Sequence, residues 1–189
     1  MFDDHRSKKV IILAHCLLNQ NAISDGTADF PSQFKEIIDL LMTNHIGMIQ
    51  LPCPELLCLG LDRSDQNGAN RPLLTENTRI RGLMNKKGNV EILQHKAEEI
   101  VMQIQEYRKH GFQVLGLIGV DRSPSCGIET TSKNGKEEHG KGVFMEVLSE
   151  TLSKKGVTLR MIGTKTSEKE QSIEKIRQFV QAFARGEGI

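Results

Sequence analysis

The sequence predicts an α/β fold: a mostly parallel sheet covered by helices on both faces, in a single compact domain. Short apolar runs alternate with longer segments of helical period, the pattern of strand–helix–strand units. The runs are continuous rather than alternating in polarity, as expected of strands buried on both faces. Three of them lead into a cysteine, and a parallel sheet collects the ends of its strands along one edge, where ligands bind.

The elements follow in order. Val10 to Ala14, with residue 15, reads as the first strand, rich in β-branched residues. Cys16 to Gly26 is rich in Asn, Ser, Asp and Gly and reads as a loop. Pro31 opens a helix in which Phe34, Ile37, Ile38, Leu41 and Met42 recur at helical spacing. Residues 46–51 form a second strand that runs into Pro52-Cys53-Pro54-Glu55. Leu56 to Arg71 reads as an irregular loop or short helix, and Pro72 to Met84 fits no single period, with Arg79 and Arg81 as candidates to point at a site. From Val90 a long helix carries Ile92, Leu93, Ala97, Ile100, Val101, Ile104 and Tyr107 to a cap at Gly111. Residues 112–118 are the third strand. Ile128 to His139 is a polar excursion or hairpin, Val143 to Lys155 a helix closed by Gly156, and residues 157–162 a fourth strand. A last helix, from about Ser167 to Arg185, aligns Ile173, Ile176, Phe179, Val180 and Phe183 on one face.

Composition narrows the function. The chain has 189 residues, enough to bury about two-thirds of its unfolded surface. With 25 basic and 24 acidic residues the net charge is +1, which gives no electrostatic reason to expect nucleic acid or an anionic membrane as partner. There is no Trp and one Tyr, so base-stacking platforms are not expected. No apolar run approaches the ~20 residues of a membrane span. Met1 to Lys9 is charged and polar, unlike a secretory signal. A cytoplasmic location is expected, and there four cysteines point to metal binding or catalysis rather than to disulfides.

Cys16, Cys53 and Cys126 are the candidates. No pair has the Cys-x-x-Cys spacing of a zinc knuckle. Three thiolates from separate loops suit instead a [4Fe–4S] cluster with one iron left without a protein ligand; the competing reading is three buried thiols packed as small hydrophobes. Cys58, in Leu56-Leu57-Cys58-Leu59, is expected to be structural. Glu55 is a candidate proton carrier beside such a centre, or the partner of Arg63 in an ion pair. Ser123 and Ser125 are candidates to bond a cluster sulfide, orient substrate or relay a proton, although Ser-Pro is also an ordinary turn opening. Asn19 and Asn21 are candidates to hold backbone or substrate, Asp25 is a candidate to bind substrate or, with Gly26, an ordinary turn, and His15 is a candidate acid, base or ligand. No Gly-x-Gly-x-x-Gly or Walker pattern follows the first strand, which argues against a nucleotide-binding domain.

Cys16-Leu17-Leu18 with Asp25-Gly26, Cys53-Pro54-Glu55, Ser123-Pro124-Ser125-Cys126-Gly127 and Gly140-Lys141-Gly142-Val143 together resemble the thiouracil desulfurase (TudS) family over roughly residues 9–163. The resemblance implies a Rossmann-like three-layer sandwich whose extra C-terminal helix, about 167–185, lies beyond the family-like core. It implies an oxygen-sensitive [4Fe–4S] cluster on Cys16, Cys53 and Cys126, with Glu55 and Ser123 as catalytic residues and Asn19, Asp25 and Ser125 near substrate. The implied activity is a desulfidase that removes sulfur from a small thiolated substrate, a thiouracil-like thioamide, by non-redox hydrolytic C–S cleavage. The alternative is a non-catalytic iron–sulfur or metal-binding module, a sensor or sulfur carrier.

Overall fold

The computed structural model describes residues 2–184. The chain begins with β1 (Lys9–Leu13) and turns at once into a short helix, α1 (His15–Leu18). Residues 31–34, expected to be helical, are not. The Phe34 N–H is taken by the Leu17 carbonyl at 2.9 Å and the Ser32 carbonyl accepts from Gln20, so this stretch is tied to the α1 turn and α2 runs from Lys35 to Thr43. Then come β2 (Gly47–Gln50), α3 (Pro54–Leu59), α4 (Leu73–Met84) and the long α5 (Lys87–Lys109). The stretch that fitted no single period is thus a regular helix, α4. Its buried face mixes Ile80 and Met84 with Glu76, Asn77 and Arg81, which blurs the apolar period.

β3 (Gln113–Val120) is followed by the hairpin β4 (Thr130–Lys133) and β5 (Lys136–His139). Its two-residue turn, Asn134-Gly135, has both φ angles positive, the geometry for which Asn-Gly is suited. α6 (Val143–Lys154), β6 (Met161–Thr164) and α7 (Lys169–Ala184) complete the described chain. β6 starts later than the apolar run at 157, because the Val157 N–H still closes the end of α6 on Leu152 and ladder pairing begins where Leu117 donates to the Arg160 carbonyl. Arg185, the expected end of the last helix, lies outside the described residues.

The main sheet is parallel in the order β2-β1-β3-β6. The central strands β1 and β3 are buried as their continuous apolar character requires: Ile11, Ile12, Leu13, Leu117 and Ile118 are at most 1% exposed; β2, at the sheet edge, is not, with Met48 and Ile49 half-buried and Gly47 and Gln50 exposed. α2 and α7 pack together, as do α5 and α6. Leftward travel from β1 to β2 and rightward travel from β2 to β3 and β6 put the crossover helices on opposite faces when each connection is right-handed. This is a Rossmann-like α/β sandwich. Ile176, Phe179 and Val180 of α7 are buried in the same core as the strands, so the C-terminal helix is part of the fold and not an appendage.

Candidate functional site

β1 and β3 are neighbours whose chains leave in opposite directions, β1 toward β2 and β3 toward β6. At such a switch point the following loops diverge and open a crevice beyond the strand ends. Cys16, Cys53 and Cys126 all border that crevice, a cleft of about 720 Å³ including its space open to solvent.

Each cysteine is placed by local chemistry. Cys16 is carried by α1, whose approach is pinned by the Ala14 N–H on the Ile118 carbonyl at 2.8 Å. The expected loop is helical here. Cys53 is the N-cap of α3, its sulfur accepting from the Leu56 N–H at 3.5 Å with Pro54 just inside the helix. Cys126 sits in the turn after β3. The Asp121 carboxylate gathers the N–H groups of Ile128, Glu129 and Thr130, and Ser123 Oγ accepts from the N–H groups of Ser125 and Cys126 at 3.3 and 3.0 Å. The same turn caps α6: the Pro124 carbonyl accepts from Val143 at 2.9 Å and the Ser125 carbonyl from Phe144 at 3.1 Å. The packing leaves no room for a side chain at Gly142, where a Cβ would run into the Ser125 carbonyl.

A buried ionic group lies behind the thiols. Glu55 and Arg63 are 6% and 2% exposed, and Arg63 Nε donates to Glu55 Oε2 at 2.9 Å. Ser24 donates to the same oxygen at 3.2 Å, and Ser125 donates to Oε1. The remaining Arg63 donors go to the carbonyls of Gly60, Leu61 and Ala22 and, at 3.9 Å, toward Cys53 Sγ. Arg63 holds φ at +53° and Ser64 at +61°, a left-handed pair that costs energy in non-glycine residues; the hydrogen bonds of the guanidinium hold it there.

The thiols are electrostatically linked. Burial pushes the Cys16 thiol up to about 12, and the charges of Cys53 and Glu55 add to the shift. Burial raises Cys126 well above its ordinary value, with Cys16 and Cys53 contributing. Cys53 is raised by burial and then by Glu55. The metal-free thiols are therefore protonated at neutral pH, and a metal centre between them would reverse this by deprotonating its ligands. Cys58 is partly buried against the core and does not border the cleft. Among the described residues no three His, Cys, Asp or Glu side chains converge on the position of a single metal ion.

Of the residues singled out by sequence, Cys16, Cys53, Cys126, Glu55, Ser123, Ser125 and His15 meet in the cleft. Asn19 and Asp25 do not border it. Asn19 caps the following turn through the Asn21 N–H, and its Nδ2 lies 3.4 Å from His15 Nε2. His15 Nδ1 faces the Leu51 carbonyl at 3.2 Å, so Nδ1 is the donor and His15 straps the Cys16 turn to the chain leading to Cys53. Asp25 is exposed. Arg79 pairs with Glu76, and Arg81 bonds the carbonyls of Pro124 and Lys141; both brace the site from behind. Sequence reasoning passed over Ser24, Asn77 and Thr166, which border the cleft. The one signal was an amide, Asn77, on the face of α4 that also carries Leu73, Ile80 and Met84.

Fold and site together define a Rossmann-like α/β protein with a three-thiol cleft at its switch point. An uncharacterized protein of Methanocaldococcus jannaschii is 29% identical over 165 residues, covering 87% of this chain and 91% of that one. No protein-family profile matches the chain, and no solved structure matches it.

Proposed function

We propose that Cys16, Cys53 and Cys126 hold a [4Fe–4S] cluster and that the protein is a desulfidase of the thiouracil desulfurase kind, acting on a small thiouracil-like thioamide. The observation that carries this reading is the meeting of three thiols, from three strand ends, in one cleft with Glu55 and Ser125. The donor set fits the cluster. A single tetrahedral zinc, bonded to each sulfur at ~2.3 Å, needs thiolates within about 4 Å of one another and a fourth ligand. A cluster gives each thiolate its own iron, tolerates wider spacing and needs only three. When bound, it would supply a Lewis-acidic iron without a protein ligand, able to polarise a C–S bond.

The protein's own groups fit hydrolysis. Ser125 donates its hydroxyl hydrogen to Glu55, so its oxygen is free to take a proton from an attacking water while Glu55 takes the serine's. Arg63 and Ser24 fix the other carboxylate oxygen and orient the pair. Ser123 Oγ already accepts two N–H groups, which leaves its hydrogen to donate into the cleft. The balance is thioamide plus water to amide plus hydrogen sulfide: a C–O bond forms, a C–S bond breaks, and no electrons are gained or lost. Three reduced thiols suit a cytoplasmic location, and no described helix is long and apolar enough to cross a membrane.

Anaerobic reconstitution is expected to give a brown protein with about four irons per chain that releases sulfide from thiouracil. Glu55→Gln should retain the iron and lower kcat by about 10² or more. A colourless protein rejects the cluster. A second reading is favoured by one observation: both Glu55 oxygens already have partners, as a purely structural carboxylate would. In that reading the protein is a non-catalytic iron–sulfur sensor or sulfur carrier, which would bind iron but release no sulfide.

A further inference from the structure

Asn77 is 7% exposed, and the cleft is the space it borders. Its Nδ2 donates to Ser132 Oγ at 3.1 Å. Ser132 is fully buried and spends its own hydroxyl hydrogen on the Arg122 carbonyl at 2.6 Å. Ser132 Oγ can therefore only accept from Asn77, which fixes the orientation of the amide. One Nδ2 hydrogen is used. The other, together with Oδ1, has no protein partner among the described residues. Yet no fully buried side-chain polar atom there lacks a partner, so Oδ1 keeps access to solvent, and the cavity that Asn77 lines is the cleft.

We propose that Asn77 is a specificity-determining residue that reads a lactam edge of the ligand, an adjacent ring N–H and C=O. Oδ1 accepts from the ring N–H and the free Nδ2 hydrogen donates to the carbonyl, a two-point match that an Asn side chain offers and a carboxylate or hydroxyl does not. Leu73, one helical turn before Asn77 on α4, borders the same cleft, as residues four apart on a helix do, and supplies an apolar surface beside the amide. Ring systems without the edge leave a nine-tenths-buried amide unpaired, which is how such sites reject analogues. The inference rests on the reading of this cleft as the substrate site, but it does not need iron.

The test uses the full chain before and after reconstitution, with uracil, which has the edge and no sulfur, and 1,3-dimethyluracil, in which both ring N–H groups are methylated. Uracil should shift the Asn77 side-chain amide resonances of the iron-free protein, and dimethyluracil should not. Asn77→Ala should weaken uracil at least about tenfold and leave the weak binding of dimethyluracil unchanged. Equal affinity for the two compounds, or no uracil-induced shift at Asn77, overturns the proposal. Should the alanine variant not fold, the resonance shift in the unmutated chain decides. A chain that binds no iron yet shows the uracil shift sinks the cluster and keeps Asn77; one that releases sulfide without the shift does the reverse.

Discussion

At the scale of single residues the decisive group is Arg63. Its side chain is 3% exposed and that of Glu55 8%, so neither charge has water to fall back on. Removing one partner of a buried pair leaves the other uncompensated, at about 3–5 kcal/mol. Arg63→Met should therefore lower the free energy of unfolding in urea titrations by that amount, and removing Glu55 as well should recover part of the loss; a single variant as stable as the parent would show that water reaches the carboxylate. Arg63 was legible in the sequence only as one option for Glu55, because it lies eight residues on in a stretch with no period. The cysteines were legible for a different reason. Each follows a strand-like run, and topology alone gathers such positions at one edge. Asn19 was singled out by residue type and Asp25 by its offset within a motif, and neither says which way a turn points its side chains.

At the scale of elements, the cysteine turn after β3 and the start of α6 form one unit. The first N–H groups of α6 are bonded by the carbonyls of Pro124 and Ser125, in place of a side-chain cap. Gly142→Ala would force the helix away from the Ser125 carbonyl, break these bonds and shift Cys126. The expected cost is about 1–3 kcal/mol, with reduced iron uptake on reconstitution. Gly82 is the control: it is exposed on α4 with open space around it, and Gly82→Ala should add up to about 1 kcal/mol of stability through helix propensity. Thermal melts of the two variants should move in opposite directions; shifts of the same sign would refute the close approach. The central strands and the long helix were readable because β1 and β3 are apolar beyond their first residue and α5 carries a continuous apolar stripe. α3 and α4 were not, since both bury polar residues, Glu55 on one and Glu76, Asn77 and Arg81 on the other. The residues that hid these helices from the hydrophobic pattern either line the cleft, as Glu55 and Asn77 do, or brace it from behind, as Glu76 and Arg81 do.

At the scale of the molecule, the site is held by a chain of charges reaching from the surface to the core. Asp65 pairs with Arg71, Arg71 with Glu76 and Glu76 with Arg79, and Arg79 donates to the Arg63 carbonyl at 2.9 Å. The network ties α4 to the left-handed turn that presents Arg63 to Glu55. Its midpoint is Glu76, whose carboxyl is held below its ordinary value of 4.5 by hydrogen bonds from Arg79 and, more weakly, Arg71. With a folded pKa below that of the unfolded chain, Glu76 adds its full stability above about pH 4.5 and loses it as pH falls through the folded value, because the unfolded chain takes up the proton first. Two flanking arginines that are themselves partly exposed limit the contribution to about 1–2 kcal/mol. Urea unfolding of the parent and of Glu76→Gln should differ by that amount at pH 7, and the gap should close progressively below pH 4.5. A gap that stays constant down to pH 3 would mean that Glu76 holds the Arg63 turn by shape and hydrogen bonding rather than by charge.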